Sequence, residues 1–247
     1  LFLSDLRDGA DGERLLSLAT HADVLVESFR PGTMRGWGLG YEALAAVNPR
    51  IVWCSLSSFG RAESVRHRIA HDLNLTALTG ALDAMGPEQP RIQLADVGAG
   101  MLAASAILAA LLRRERTGLG GRVDQPLITG SLPFMTWRWA EAAVGREEVV
   151  DVLLGGGCPC YRTYRCGDGE LIAVSALEPK FWIGFVTMLG AQELDAAGFA
   201  MGDEGAAVVA RVEEVLAERP VVPSRCRLPA SDPSTSPRPP HPSPDPP

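Results

Sequence analysis

The sequence predicts an α/β protein: an open, mostly parallel sheet, then a smaller α+β domain reached through a long linker. Three observations carry this. Over residues 1–60, short β-rich runs alternate with helical runs, the pattern of strands joined by crossover helices. The triplet Gly155-Gly156-Gly157 then interrupts the chain, as a crossing segment does. Beyond it come a hairpin signature and two helical runs, without the earlier alternation.

In order, Leu1-Phe2-Leu3 reads as a strand, and GERLLSLATHA places Leu15, Leu16 and Leu18 at helical spacing. The run Asp23–Phe29 is a strand that ends at the turn Arg30-Pro31-Gly32. Gly40–Pro49 is a helix stopped by Asn48-Pro49, and Ile51–Gly60 is a strand that leads into a Ser/Gly loop. Ligands of such sheets bind beyond the carboxyl ends of the strands, where Ser4–Arg7, Ser28–Arg30 and Ser57–Gly60 fall. His71-Asp72 opens the helical run LNLTALTGAL. Asp96 precedes VGAGMLAASAILAALLRRER, apolar enough to predict a helix deep in a core. Asp124–Gly145 reads as a further helix carrying Trp137 and Trp139. Tyr161–Ala176 is a hairpin turning at Gly167-Asp168-Gly169. Pro179 suits the first turn of the helix KFWIGFVTMLG, and residues 204–218 form a last amphipathic helix. From Pro220 onward lie eleven of the nineteen prolines without hydrophobic periodicity, a segment expected to be disordered.

Bulk properties bound the function. Apolar residues make up 46% and charged residues 21%, the balance of a globular protein, and a net charge of −7 argues against a nucleic-acid binder. Five unpatterned cysteines point to a reducing compartment, hence a cytoplasmic location, and Cys158-Pro159-Cys160 lacks a second ligand pair at zinc spacing, so no metal is expected. Leu102–Leu112 is about half of what a bilayer needs, so no membrane span is expected.

His71 and Asp96 are the candidate chemistry. A helix N-terminus stabilises a carboxylate or a developing oxyanion, and an imidazole and a carboxyl group facing one carbon can exchange a proton across it. Spacing alone equally allows Asp96 to be a helix cap and His71 a hydrogen-bonded polar residue. Arg30 reads either as a phosphate clamp or as a solvated surface residue, and Arg61, Arg66, His67 and Arg68 either as an anion-holding loop or a solvated one. Glu178 falls at a helix start, where a negative charge is favourable whatever else it does.

The motifs DVLVESFRPG, GLGYEALAAVNPRIVWCSLSSFG, AHDLN, LADVGAG and GGGCPCYRTYRCGDGELIAVSALEPKF, in this order, resemble the family III CoA-transferase (CaiB/BaiF-like) superfamily over roughly residues 1–219. Within it they look most like the racemase branch. Transferases of the superfamily usually carry Tyr where His71 stands, and use the Asp corresponding to Asp96 as an acyl-accepting nucleophile. Racemases carry His-Asp and a Glu-Pro-Lys/Gln-Phe motif, here Glu178-Pro179-Lys180-Phe181. The resemblance implies a Rossmann-like large domain over 1–125 that is incomplete, a helix and Gly-rich linker over 126–161, a truncated small domain over 162–219 and the tail 220–247. It implies epimerisation of 2-methylacyl-CoA thioesters by 1,1-proton transfer through an enolate. His71 and Asp96 would be the acid/base pair, with Glu178 orienting His71. The CoA-contacting segments would be Ser4, Asp5, Leu6 and Arg7; Ser28, Phe29 and Arg30; and Ala70, Asp72, Leu73, Asn74 and Leu75. It implies no cofactor, since CoA enters with the substrate, and an interlocked homodimer. The alternatives are a transferase using Asp96 as nucleophile, and an inactive module that only binds CoA or packs with a partner. Glu63-Ser64 stand where the superfamily has Gly-Pro, Ala70 where it has Gly, and Gly36 where it has an Arg.

Overall fold

The computed structural model describes residues 4–86, 90–145 and 153–218, with the backbone alone for 235–237. The expected strand Leu1-Phe2-Leu3 lies outside the described residues, as does the expected disordered tail apart from 235–237. The chain divides into two compact units, Leu1–Thr136 and Trp137–Pro247.

The first unit is a parallel sheet of three strands in the order β1 (Val24–Glu27), β2 (Val52–Ser57), β3 (Gly121–Pro126). The register aligns Val26, Cys54 and Val123, and one step on Glu27, Ser55 and Asp124. Helix α1 (Gly9–Ala19) starts because the Asp8 carboxylate accepts the Ala10 N–H at 3.0 Å. Between β1 and β2 run the short helices α2 (Thr33–Gly36) and α3 (Tyr41–Val47). Ala19, Met34, Leu39, Leu44, Ile51 and Trp53 bury a core among these elements, and Tyr41 stacks on Trp53 at 5.9 Å.

Between β2 and β3 lie α4 (Asp72–Leu78), α5 (Ala81–Ala84) and α6 (Leu94–Thr117), and after β3 a 3-10 turn (Leu127–Gly130) leads into α7 (Leu132–Ala143). Two sequence expectations fail here. Residues 121–126 form a strand where part of a helix over Asp124–Gly145 was expected. Asp96 does not precede α6; it is the helix's third residue.

A third expectation fails on burial. Helix α6 is not deep in a core. Its small residues Ala95, Gly98, Ala99 and Ala103 pack inward, whereas Met101 and Leu108 are about two-thirds exposed. Gly98 explains the choice of face. A Cβ there would collide with the Gly130 carbonyl, and one at Gly130 would collide with the Ala95 carbonyl and the Ala99 nitrogen. The helix therefore docks backbone against backbone, which only its small-residue face allows. At 24 residues α6 is long and apolar enough, by length and composition, to cross a bilayer, so the apolar stretch Leu102–Leu112 understates it. Its far end is held by Arg114, buried, 2.9 Å from the Asp23 carboxylate at the start of β1.

The second unit contains the expected hairpin, β4 (Tyr161–Arg165) antiparallel to β5 (Leu171–Ser175), with β6 (Thr235–Pro237) along the other edge of β5. Helices α8 (Pro179–Leu189) and α9 (Gly202–Ala217) belong to the same unit, and Tyr164, Trp182, Phe185, Val186 and Val212 form its centre. The two large polar aromatics there are satisfied: Tyr164 donates to the Pro159 carbonyl at 2.7 Å and Trp182 Nε1 to the Leu194 carbonyl at 2.8 Å. Cys158 and Cys160 are buried in this core, and burial pushes the Cys160 thiol up to about 11.

The backbone seam yields a paired prediction. Gly98→Ala should destabilise the first unit by about 1–3 kcal/mol through overpacking. Gly100→Ala, two residues along the same helix with nothing within 4 Å of the new methyl, should stabilise it by up to about 1 kcal/mol. Chemical denaturation of the two variants should move in opposite directions.

Candidate active site

The loops after β1 and β2 open onto one cavity of about 320 Å³, at the carboxyl ends of the strands. It is lined by 28–31, 56–60 and 66–71, together with Leu127. Local bonds set each wall. Glu27 Oε2 accepts the Phe29 N–H at 2.7 Å and turns the chain as β1 ends. Phe29 packs edge-on against Trp37 at 5.2 Å, and Arg30 is left exposed in the wall. Ser58 closes the next loop: its hydroxyl donates to the Ala70 carbonyl at 2.8 Å and accepts the Ala70 N–H at 3.3 Å. The Ile128 N–H donates to the Ser58 carbonyl, so the turn after β3 holds the same loop.

The rim is basic although the chain is acidic. Arg30, Arg66, His67 and Arg68 all contribute to it. Arg66 is paired with Glu63 at 2.7 Å, and Arg68 lies over the Phe59 ring at 5.3 Å. Arg30 has no ion-pair partner among the described residues.

His71 is the N-cap residue of α4, in extended backbone, and its N–H donates to Asn74 Oδ1 at 3.1 Å. Asp72, the first residue of that helix, is buried, and its Oδ1 accepts the backbone N–H of Asp96 at 2.9 Å. One carboxylate thus joins the starts of α4 and α6. The Asp96 side chain is exposed, but partial loss of water still acts on its carboxyl. That loss of water and the negative charge of Asp72 raise its pKa above the ordinary 3.8, against an opposing pull from His71. His71 and Asp96 are therefore within electrostatic reach of each other.

The other expected site residues are placed as follows. Ser28, Phe29, Arg30 and Ala70 line the cavity with His71. Leu73 and Asn74 are exposed on α4, whereas Leu75 is fully buried in the small core with Ala70 and Ala95. Ser4–Arg7 does not line the cavity. Arg7 binds Asp5 at 2.7 Å and its hydrogen bonds hold the Asp5 carboxyl down at about 2, while Leu6 packs on the α1–α3 core. Glu178 belongs to the second unit, where it is the N-cap residue of α8. Among the described residues no group of His, Cys, Asp or Glu is placed to hold a metal ion. Sequence reasoning missed the bond of the Asp72 side chain and the place of Leu127 in the cavity lining. No residue pattern shows which of two adjacent residues at a helix start faces inward.

The described residues thus place a basic cavity at the strand ends of a parallel sheet, with His71 and Asp96 at two helix starts. CoA-transferase family III matches over residues 2–224, and the chain belongs to this family of enzymes. It is 34% identical to the human protein named alpha-methylacyl-CoA racemase, over 87% of this chain and 58% of that one. It is 32% identical to the mouse succinyl-CoA:glutarate CoA-transferase, over 66% of this chain and 39% of that one. The fold is similar to that of a CaiB/BaiF family protein from Brucella suis, with TM-score 0.71 and 27% identity, over 87% of this chain and 59% of that one. The chain thus spans a little over half the length of the human racemase.

Raising the Asp96 pKa has a consequence for stability. A carboxyl with a raised folded pKa favours the folded state when protonated, and that advantage is lost as pH rises through the raised value. An uncharged Asp96→Asn side chain does not lose it. The melting temperature of Asp96→Asn relative to the parent should therefore climb from pH 3.8 upward and level off once Asp96 is fully ionised. Paired thermal melts between pH 3 and 8 check this.

Proposed function

We propose that this chain inverts the α-carbon of 2-methylacyl-CoA thioesters by proton transfer. The observation that carries the reading is the His71/Asp96 arrangement: an imidazole at the start of one helix, and a carboxyl with a raised pKa at the start of another, linked through Asp72. The basic rim with Arg30 suits the phosphates of CoA, which a guanidinium holds through paired N–H groups. Identity to the human and mouse proteins named alpha-methylacyl-CoA racemase supports the substrate class.

In this reading neutral His71 removes the α-proton of one epimer. The electrons move onto the thioester oxygen, and the enolate is held by the backbone N–H of Asp72, one of the helix-start donors without an intrahelical partner. Asp96, protonated at that moment, returns a proton to the other face, and the roles reverse for the other epimer. A carboxyl whose pKa is raised suits this task, because it must hold a proton for part of the cycle. No metal or redox step is involved, and CoA enters and leaves with the substrate.

The second reading is acyl transfer with Asp96 as nucleophile. It is favoured by the identity to proteins named as CoA-transferases, 32% for the mouse glutarate enzyme and 37% for the oxalate enzyme of Acetobacter aceti. His71, standing where transferases of the superfamily usually carry Tyr, favours the first reading.

The test is deuterium incorporation at the α-carbon of a 2-methylacyl-CoA in heavy water, followed by proton NMR. Incorporation is expected with the parent chain, and His71→Ala and Asp96→Ala should each reduce it by about 10²–10⁴-fold. Normal incorporation in both variants would overturn the assignment. Trapping of an Asp96 acyl derivative by hydroxylamine, without incorporation, would support transfer instead.

A further inference from the structure

We propose that Asp72 is a positioning residue: its buried carboxylate reaches from the first turn of α4 to the main chain of Asp96 and locks the two proton-transfer groups into one frame. The inference rests on the proposed function, in which the catalytic part of Asp72 is its backbone N–H, and assigns a positioning role to the side chain.

The geometry is specific. Asp72 is 4% exposed, and its Oδ1 accepts the Asp96 N–H at 2.9 Å. That N–H is one of the first-turn donors of α6 that no carbonyl of the helix can reach. The residue in the N-cap position, Gln93, makes no side-chain cap bond. Asp72 therefore caps α6 from a different helix, over 24 residues of sequence separation. It is also adjacent to His71, so any rotation of α4 that moves the imidazole moves the cap as well. The Gly98/Gly130 seam and Ala95, buried in the small core with Ala70 and Leu75, also hold this end of α6, but neither sets a polar group at its first turn.

The charge of Asp72 has a second effect. It is the negative neighbour of the Asp96 carboxyl, and works with the loss of water to favour the protonated form. His71, also on α4, pulls the other way. The 127–130 turn, packed on the same stretch of α6, is Leu-Ile-Thr-Gly and carries no titratable side chain. On the strands behind α6, Asp124 is paired with Arg61 and Arg122, and Cys54 is a buried thiol. Among the described residues, Asp72 and His71 are therefore the titratable groups of the packed elements that act on Asp96.

The test separates this inference from the function on which it rests. Asp72→Asn keeps an oxygen to accept the Asp96 N–H but removes the charge, and Asp72→Ala removes both. The titration midpoint of the Asp96 side-chain carboxyl, read by ¹³C NMR on aspartate-labelled protein and assigned with Asp96→Asn, should move down in Asp72→Asn. The acid limb of the deuterium-incorporation profile should move in the same direction. Asp72→Ala should lower kcat by about 10–100-fold with little change in KM, as loss of alignment does. An unmoved Asp96 midpoint in Asp72→Asn overturns the electrostatic role, and a parental kcat in Asp72→Ala overturns the positioning. If the parent chain incorporates no deuterium, the proposed function fails, but the NMR titration still decides what Asp72 does to Asp96. If Asp72→Ala does not fold, Asp72→Asn carries the test alone.

Discussion

The contact on which the first unit depends is the close approach of two backbones, α6 against the 127–130 turn, with Gly98 and Gly130 facing each other. No side chain fits between them, so the depth of α6 on the sheet is set by main-chain atoms. This fixes several things together. The turn follows directly from β3, whose register with β2 is held by a parallel ladder. The same turn donates from Ile128 to Ser58, and Ser58 clasps Ala70, one residue before His71. The first turn of α6, with Asp96, and the start of α4, with His71, are thus both referred to β2 and β3 through short, stiff links. Proton transfer between two groups and one carbon needs such shared reference, because small misplacements cost large factors in rate.

Electrostatics divides the site into two parts with different tasks. The rim of the cavity is basic, and in Arg30 it keeps a cation without an ion-pair partner among the described residues. Two carboxyl groups, Asp72 and Asp96, are linked through the Asp96 main chain. Their environments differ. Asp72 is buried at a helix start with an N–H to accept, while Asp96 is exposed and has a negative neighbour. A chain with net charge −7 meets a polyanionic ligand only through such a local concentration of cations, since its overall field is repulsive.

Much of this architecture was readable from the sequence where periodicity and turn chemistry agreed. β1 and β2, the hairpin, and Pro179 at the first turn of α8 follow from alternation, from Arg-Pro-Gly and Gly-Asp-Gly, and from the restricted φ of proline. β3 was not readable, because GRVDQP has a single branched apolar residue and is a strand only by virtue of its ladder with β2. The start of α6 was misread for a related reason. Asp is a strong N-cap residue, so a lone Asp before an apolar run suggests the boundary, whereas Gln93 takes that position with no cap bond of its own. The apolar character of α6 also hid which face is covered. Hydropathy ranks leucine and methionine above glycine and alanine, but the covered face is the one on which the backbone can come closest.

That preference for proximity over hydropathy bears on the site itself. If α6 packed through Met101 and Leu108, its axis would stand further from the sheet, as helices do when large side chains separate them. Its first turn would then recede from α4, and the Asp72 carboxylate could not span to Asp96. The glycine and alanine face costs apolar burial, since the larger residues stay at the surface. In return it brings a helix start, with its unpaired N–H groups, within one hydrogen bond of a second helix start. The candidate chemistry is located where those two starts meet, so the packing of α6 and the juxtaposition of His71 with Asp96 have the same cause.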